Sequence, residues 1–144
     1  MTFNSKPKSF VTRQGRITAN QKKALDSFWN QYVISELSEI QEFIRGNYSL
    51  LDIGFGAGET LISIAQKKED ISLLGAEVYL SGIGTVLSKA DKLNLENLRI
   101  VREDAEWLKL CIKRRLRGLH CLTSKYAVSH IQSFSEQCDS SEWR

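Results

Sequence analysis

Residues Leu51 to Thr60 read LDIGFGAGET, and this stretch decides the fold. It places a carboxylate, Asp52, and three alternating glycines, Gly54, Gly56 and Gly58, where a buried apolar strand gives way to a helix. Glycine at those positions removes the side chains that would keep a ligand away from the backbone, and an acid at a strand end can accept hydrogen bonds from an amine or a hydroxyl. The pattern predicts a pocket for a nucleotide-like cofactor. Its spacing argues against a pyrophosphate, because a G-x-G-x-x-G loop counted from Gly54 needs a glycine where this chain has Glu59. A carboxylate is a poor neighbour for a phosphate seated on a helix amino terminus.

Working outward, Tyr48 to Ile53 reads as the first strand, and a helix is expected from Gly58 to about Lys67 with Leu61, Ile62 and Ala65 facing inward. Ile71 to Ala76 is a second strand ending at Glu77. Ile83, Val86, Leu87, Ala90 and Leu93 form a helical stripe, and Asn97 to Val101 is a third strand followed by a loop that holds Asp104. Upstream, Thr18 can cap a helix carrying Leu25, Phe28, Trp29 and Tyr32, and Ser35 a shorter one carrying Leu37, Ile40 and Ile44 that Gly46-Asn47 stops. Alternating strands and helices of this kind imply an α/β fold with a parallel sheet and flanking helices.

Ligands of parallel sheets bind outside the carboxyl ends of the strands, so Asp52, Glu77 and Asp104 are expected to converge there. Glu77 follows Gly58 at nearly the ~20-residue offset at which an acid after the second strand takes the ribose hydroxyls. Asp104 is placed to accept from an exocyclic amine such as adenine N6. Each acid alone could equally be a helix cap or a solvated loop residue, and Asp104 in particular could cap a helix starting at Ala105. Glu59 suits the first turn of its helix, and Trp29 and Trp107 suit the core.

The chain has 144 residues, 42% of them hydrophobic, which is enough for one compact domain. The sequence has no apolar run of the ~18 residues a membrane helix needs and no secretory signal pattern, so a cytoplasmic protein is expected, an organelle transit peptide being the alternative for the amino terminus. The net charge of +3 collects at Lys6, Lys8, Arg13, Arg16, Lys22 and Lys23 and again at Lys113, Arg114, Arg115 and Arg117. Two basic clusters suggest a polyanion, although the second taken alone is better explained by a solvated helix face. Cys111, His120, Cys121, His130 and Cys138 lack the spacing of a zinc site, so no metal is expected.

The D-x-G-x-G-x-G pattern resembles motif I of the S-adenosylmethionine-dependent methyltransferases with a Rossmann-like fold. Three segments narrow the resemblance: SFVTRQGRIT at Ser9 to Thr18, LLDIGFGAGETL at Leu50 to Leu61 and GAEVYLSGIG at Gly75 to Gly84 look like the bacterial tRNA (guanine-N7) methyltransferases. NLRIVREDAEWL at Asn97 to Leu108 extends the match, and RQGR is its most specific part. Asp52 stands where the family often has glutamate, and Tyr79 where it often has histidine. The resemblance implies methyl transfer from S-adenosylmethionine to a guanine N7 of tRNA. It implies cofactor contacts at Asp52, Gly54, Gly56, Glu77 and Asp104, and a substrate-facing arm with Arg13 and Arg16.

The family's P-D-P-W segment, whose aspartate the resemblance would assign to clamping the guanine, has no counterpart in this sequence, so no catalytic residue is assigned. The chain is accordingly expected to divide into a basic flexible arm at 1–17, the amino-terminal part of a methyltransferase domain at 18–110, and an atypical tail at 111–144. The expected fold is a partial Rossmann-like one, truncated after the third strand, which leaves strand one as an open edge. Leu108, Ile112, Leu116 and Leu119 keep helical spacing and suggest a helix through the basic cluster. A catalytically dead cofactor- or RNA-binding remnant is the alternative function.

Overall fold

A computed structural model describes residues 15–45, 48–104, 108 and 119–122. Helix α1 (Ala19–Tyr32) and helix α2 (Leu37–Ile44) precede strand β1 (Ser49–Ile53). Helix α3 (Glu59–Lys67), strand β2 (Ser72–Ala76), helix α4 (Leu80–Lys92) and strand β3 (Leu98–Val101) follow, and strand β4 (Leu119–Leu122) completes the described elements. The strands form one parallel sheet in the order β3-β2-β1-β4. The expected α/β architecture is present, with the expected elements within a residue or two of their places.

The sheet does not stop at the third strand. Ser49, Leu50, Leu51 and Asp52 of β1 pair in register with Leu119, His120, Cys121 and Leu122, so β1 is an interior strand and not the edge that the sequence suggested. Leu119, which kept helical spacing with Leu116, is a strand residue. The unpaired N–H and C=O groups that β1 would present otherwise are the physical reason: ladder hydrogen bonds outweigh a local period resting on one leucine. The basic cluster itself, like Trp107 and Arg13, lies outside the described residues.

Strand alternation splits the core into two layers. Leu50, Leu73, Leu98 and Ile100 face α1, α3 and α4, packing with Ala24, Tyr32, Leu61, Ile83, Val86 and Leu87. Leu51, Leu74, Ala76 and Val101 face the other way, onto Ile34, Ile40, Ile44 and Leu108. Trp29 is partly buried against the first layer, as expected of a core residue. Leu93 is not: it is the carboxyl cap of α4 and 42% exposed, and Leu95, at 7%, takes the buried place after Asn94 turns the chain with a φ of 49°.

The ends of the elements are closed by side chains. Thr18 caps α1 through a reciprocal pair, its Oγ1 accepting from the Gln21 N–H at 3.2 Å while Gln21 Oε1 accepts from the Thr18 N–H at 2.9 Å. Helix α2 is entered at Glu36 and not at Ser35, because the Glu39 carboxylate reaches back to both the Ser35 and Glu36 N–H groups, at 3.2 and 3.1 Å. The Ser72 and Ser49 hydroxyls donate to the Phe43 and Ile44 carbonyls at its far end. After α1 the chain runs beside β3, where the Ile34 N–H donates to the Ile100 carbonyl at 2.8 Å and Val33 bridges Ile100, which covers that edge of the sheet.

Tyr32 is 1% exposed. Burial, and then the Asp91 carboxylate, push its phenol above the ordinary value of 10.0. The native state therefore holds this proton after the unfolded chain has released it, so the stability it contributes is complete below about pH 10 and is lost as pH rises beyond that. Tyr32→Phe is expected to flatten the alkaline decline of stability, measured by urea unfolding at about pH 9 and about pH 11. Equal slopes in the two proteins would contradict it.

Candidate functional site

The strand order itself locates a crevice. Chain order proceeds outward from β1 through β2 to β3 and then returns to the opposite side of β1, where β4 lies, so the topology reverses between β1 and β4. In open parallel sheets the crevice at that reversal, beyond the strand carboxyl ends, is where ligands bind. The loop leaving β1 at this point is Gly54 to Gly58.

Gly54, Gly56 and Gly58 all have left-handed backbone, with φ of 69°, 60° and 72°. Three such residues in five are accessible without strain only to glycine. The Gly54 N–H extends the β1–β2 ladder by donating to the Ala76 carbonyl at 2.7 Å, and the Gly58 N–H closes a turn onto the Phe55 carbonyl at 2.9 Å. Phe55 anchors the loop from below: it is 5% exposed, and a Cβ placed on Gly75 would come within 2.8 Å of its ring. A Cβ on Gly54, by contrast, would meet nothing within 4 Å, so the space over the loop is open.

Two of the three acids lie at this loop. Asp52 is 2% exposed and sits within β1, paired with Gly75, one residue before the strand ends. This is inside the strand expected at Tyr48 to Ile53, and the pairing runs on through Ile53 to the Gly54 N–H. Glu77, 6% exposed, directly follows β2, and its N–H donates to the Val101 carbonyl at 3.2 Å. Its carboxylate is held by backbone donors: Oε2 accepts from the Gly56 N–H at 2.8 Å, and Oε1 from the Val78 and Tyr79 N–H groups at 2.9 and 3.2 Å. Glu77 thus ties the glycine loop to the start of α4, a role its sequence position did not announce.

Helix α4 completes the tie. Gly82 lies so close to the loop that a Cβ there would collide with the Gly56 carbonyl oxygen. Asp104 is half-buried beyond β3, and its carbonyl accepts from the Leu108 N–H at 3.2 Å, which is how a helix-capping residue behaves. Arg16 is exposed two residues before the cap of α1. Phe55, Gly75 and Gly82 were not singled out from the sequence; the signal for the two glycines is a small residue where the loop, Phe55 included, touches a neighbour, which only the fold makes legible.

These features fit a nucleoside-type cofactor. Carboxylates at the ends of β1 and β2 can accept from hydroxyl and amine groups, each carboxylate having about four acceptor positions, so Glu77 retains capacity beyond the three amides it holds. The amino terminus of α3 carries exposed Glu59, which disfavours a phosphate there. Among the described residues no cluster of histidine, cysteine and acidic side chains could hold a metal, and no helix is long and apolar enough to cross a membrane.

A parallel sheet flanked by helices, with a glycine loop and a buried acid at its reversal, defines the class, a partial Rossmann-like methyltransferase fold. Residues 47–122 match the family model described as "Putative methyltransferase", a match that runs through β4. The chain is 42% identical over 109 residues to the tRNA (guanine-N(7)-)-methyltransferase of Methylococcus capsulatus, covering 73% of this chain and 47% of that relative. It is 38% identical over 110 residues to the enzyme of the same name from Marinobacter nauticus (73% and 46%), and 36% over 121 residues to that of Actinobacillus succinogenes (81% and 48%). The chain belongs to the tRNA (guanine-N7) methyltransferase family. It spans about half the length of the curated relatives it matches.

Proposed function

We propose that this chain binds S-adenosylmethionine at the Gly54–Gly58 loop and serves methyl transfer to a guanine N7 of tRNA in the cytoplasm. The observation that carries the reading is the joint placement of Asp52, Gly54, Gly56 and Glu77 at the topological reversal of the sheet. The cofactor would supply a sulfonium-bound methyl group. In this assignment the left-handed glycines let it approach the backbone, Glu77 takes the ribose hydroxyls, Asp52 accepts from the amino group or a hydroxyl, and Asp104 accepts from the adenine amine. Arg13 and Arg16 would contact the RNA phosphates.

Guanine N7 carries an in-plane lone pair and no proton, so its attack on a methyl group needs no general base. Alignment supplies the catalysis, and orienting the two reactants can lower the barrier by ~7 kcal/mol or more. A site built of backbone and fixed acids, without a titrating nucleophile, suits that chemistry.

Radiolabelled methyl transfer to unmodified tRNA, run beside calorimetric titration with S-adenosylmethionine, tests the proposal. Saturable cofactor binding with label incorporated at guanine N7 is the expected result. Binding of cofactor or RNA without turnover would favour the alternative of a non-catalytic binding protein, which the lack of a P-D-P-W segment in the sequence raises. Failure to bind either the cofactor or RNA would sink both.

A further inference from the structure

Helices α1 and α4 lie side by side and run the same way. Gln21, at the start of α1, meets Gly84 and Thr85, and at the other end Tyr32 feels the Asp91 carboxylate. Helix α4 starts at the carboxyl ends of the strands, directly after Glu77, so α1 also begins at that end of the sheet. The segment that leads into α1 therefore departs from the same edge as the glycine loop.

Its direction of departure is fixed by one side chain. The Gln21 amide uses both of its ends: Oε1 accepts from the Thr18 N–H at 2.9 Å, and Nε2 donates to Thr85 Oγ1 at 3.0 Å. The Thr85 hydroxyl donates in turn to the Ser81 carbonyl at 3.0 Å, one turn back along α4. The helices approach closely enough here that a Cβ on Gly84 would lie 2.9 Å from the Gln21 carbonyl oxygen. Three residues before Thr85, Gly82 presses on the Gly56 carbonyl, so a chain of contacts runs from the cofactor loop through α4 to Thr18. Arg16 lies exposed just beyond.

A capping box needs only Thr18 and Gln21. The further bond to Thr85 adds nothing to the cap; it adds a fixed bearing relative to α4. We propose that the Gln21 amide and the Thr85 hydroxyl form a positioning clasp that holds Gly15 to Thr18, and with them Arg16, at the cofactor edge of the sheet, raising affinity for the RNA substrate without touching it. This rests on the proposed function, since it takes RNA as the arm's partner. A clasp of this kind spares the RNA the entropy of ordering residues 15–18, so its loss weakens RNA binding and leaves the cofactor site alone.

The test compares the 144-residue chain with its variants Thr85→Val, which keeps shape and removes the hydroxyl, and Thr85→Ser, which restores it. Three quantities are read: deuterium exchange across residues 16–21, the Kd for an unmodified tRNA transcript at fixed salt, and the Kd for S-adenosylmethionine. Expected in the valine variant are several-fold faster exchange in that segment and an RNA Kd weakened about 3- to 10-fold, with cofactor Kd unchanged and both effects reversed in the serine variant. An RNA Kd unchanged in Thr85→Val, or a loss shared by Thr85→Ser, overturns the clasp alone. A parallel fall in cofactor affinity also overturns it, since that marks damage to the helix pair. A wild-type chain that binds cofactor but no tRNA removes the clasp's role in RNA binding while leaving the cofactor half of the proposed function standing.

Discussion

Replacing Glu77 with glutamine is expected to weaken S-adenosylmethionine binding by about 10- to 100-fold and to destabilise the fold by about 1–3 kcal/mol. Both effects come from one carboxylate doing two things. Its Oε2 accepts from Gly56, and its Oε1 accepts from Val78 and Tyr79, so all donors point at oxygen. Glutamine offers one oxygen. If that oxygen stays on Val78 and Tyr79, an NH2 group is set against the Gly56 N–H; if it turns to Gly56, two amides at the start of α4 face a donor. Either way a group at a residue only 6% exposed loses its partner. Gly56 of the loop loses its tie to the residue after β2, and the charged acceptor that the proposed function assigns to the ribose hydroxyls is lost with it. Glu69→Gln, at an exposed residue after α3, is the comparison and should change stability by less than about 0.5 kcal/mol. Thermal unfolding and calorimetric titration of both variants decide the matter, and equal cofactor affinity in wild type and Glu77→Gln would remove Glu77 from the site.

That network also marks how far the sequence could be read. The positions of the three alternating glycines and the strand before them were legible because three residues without Cβ atoms at a strand end have few other uses. The helices were legible because their buried residues recur at 3.6, as Leu61, Ile62 and Ala65 do in α3, and Ile83, Val86, Leu87 and Ala90 in α4. Glu77 was placed by its offset from the loop, but its bond to the Gly56 N–H joins residues 21 apart through a bend that no period encodes. Strand β4 was hidden for a different reason. Four residues, LHCL, carry too little alternation to be told from a helical turn, and what makes them a strand is β1, some 70 positions earlier in the chain. Ser35 lost the cap of α2 to Glu36 because a longer side chain, Glu39, could satisfy two amides at once. Gly75 and Gly82 are of the same kind: each is small because of a neighbour distant in sequence, Phe55 for one and the Gly56 carbonyl for the other.

Gly58 presents two separate obstacles to an added methyl group. Gly58→Ala is expected to cost about 2–5 kcal/mol, the sum of two separable causes. The first is backbone: φ is 72°, a left-handed conformation that costs an alanine roughly 1–2 kcal/mol. The second is space, because the new Cβ would collide with Cγ2 of Val86, a fully buried residue of α4. Val86 cannot yield easily, being packed in the layer formed with Leu61, Ile83 and Leu87. Pairing the change with Val86→Ala separates the causes. Overlap is relieved in the double variant while the backbone cost remains, so Gly58→Ala should be about 1–3 kcal/mol less damaging in the Val86→Ala background than in wild type. The single variant is expected to melt roughly 10 °C below wild type, and urea titration of the four proteins supplies the cycle. Additive costs would mean that α4 moves aside freely. That result would also weaken the clasp, because a helix that slides away from Gly58 cannot hold Gly82 against the loop and Thr85 against Gln21 at once.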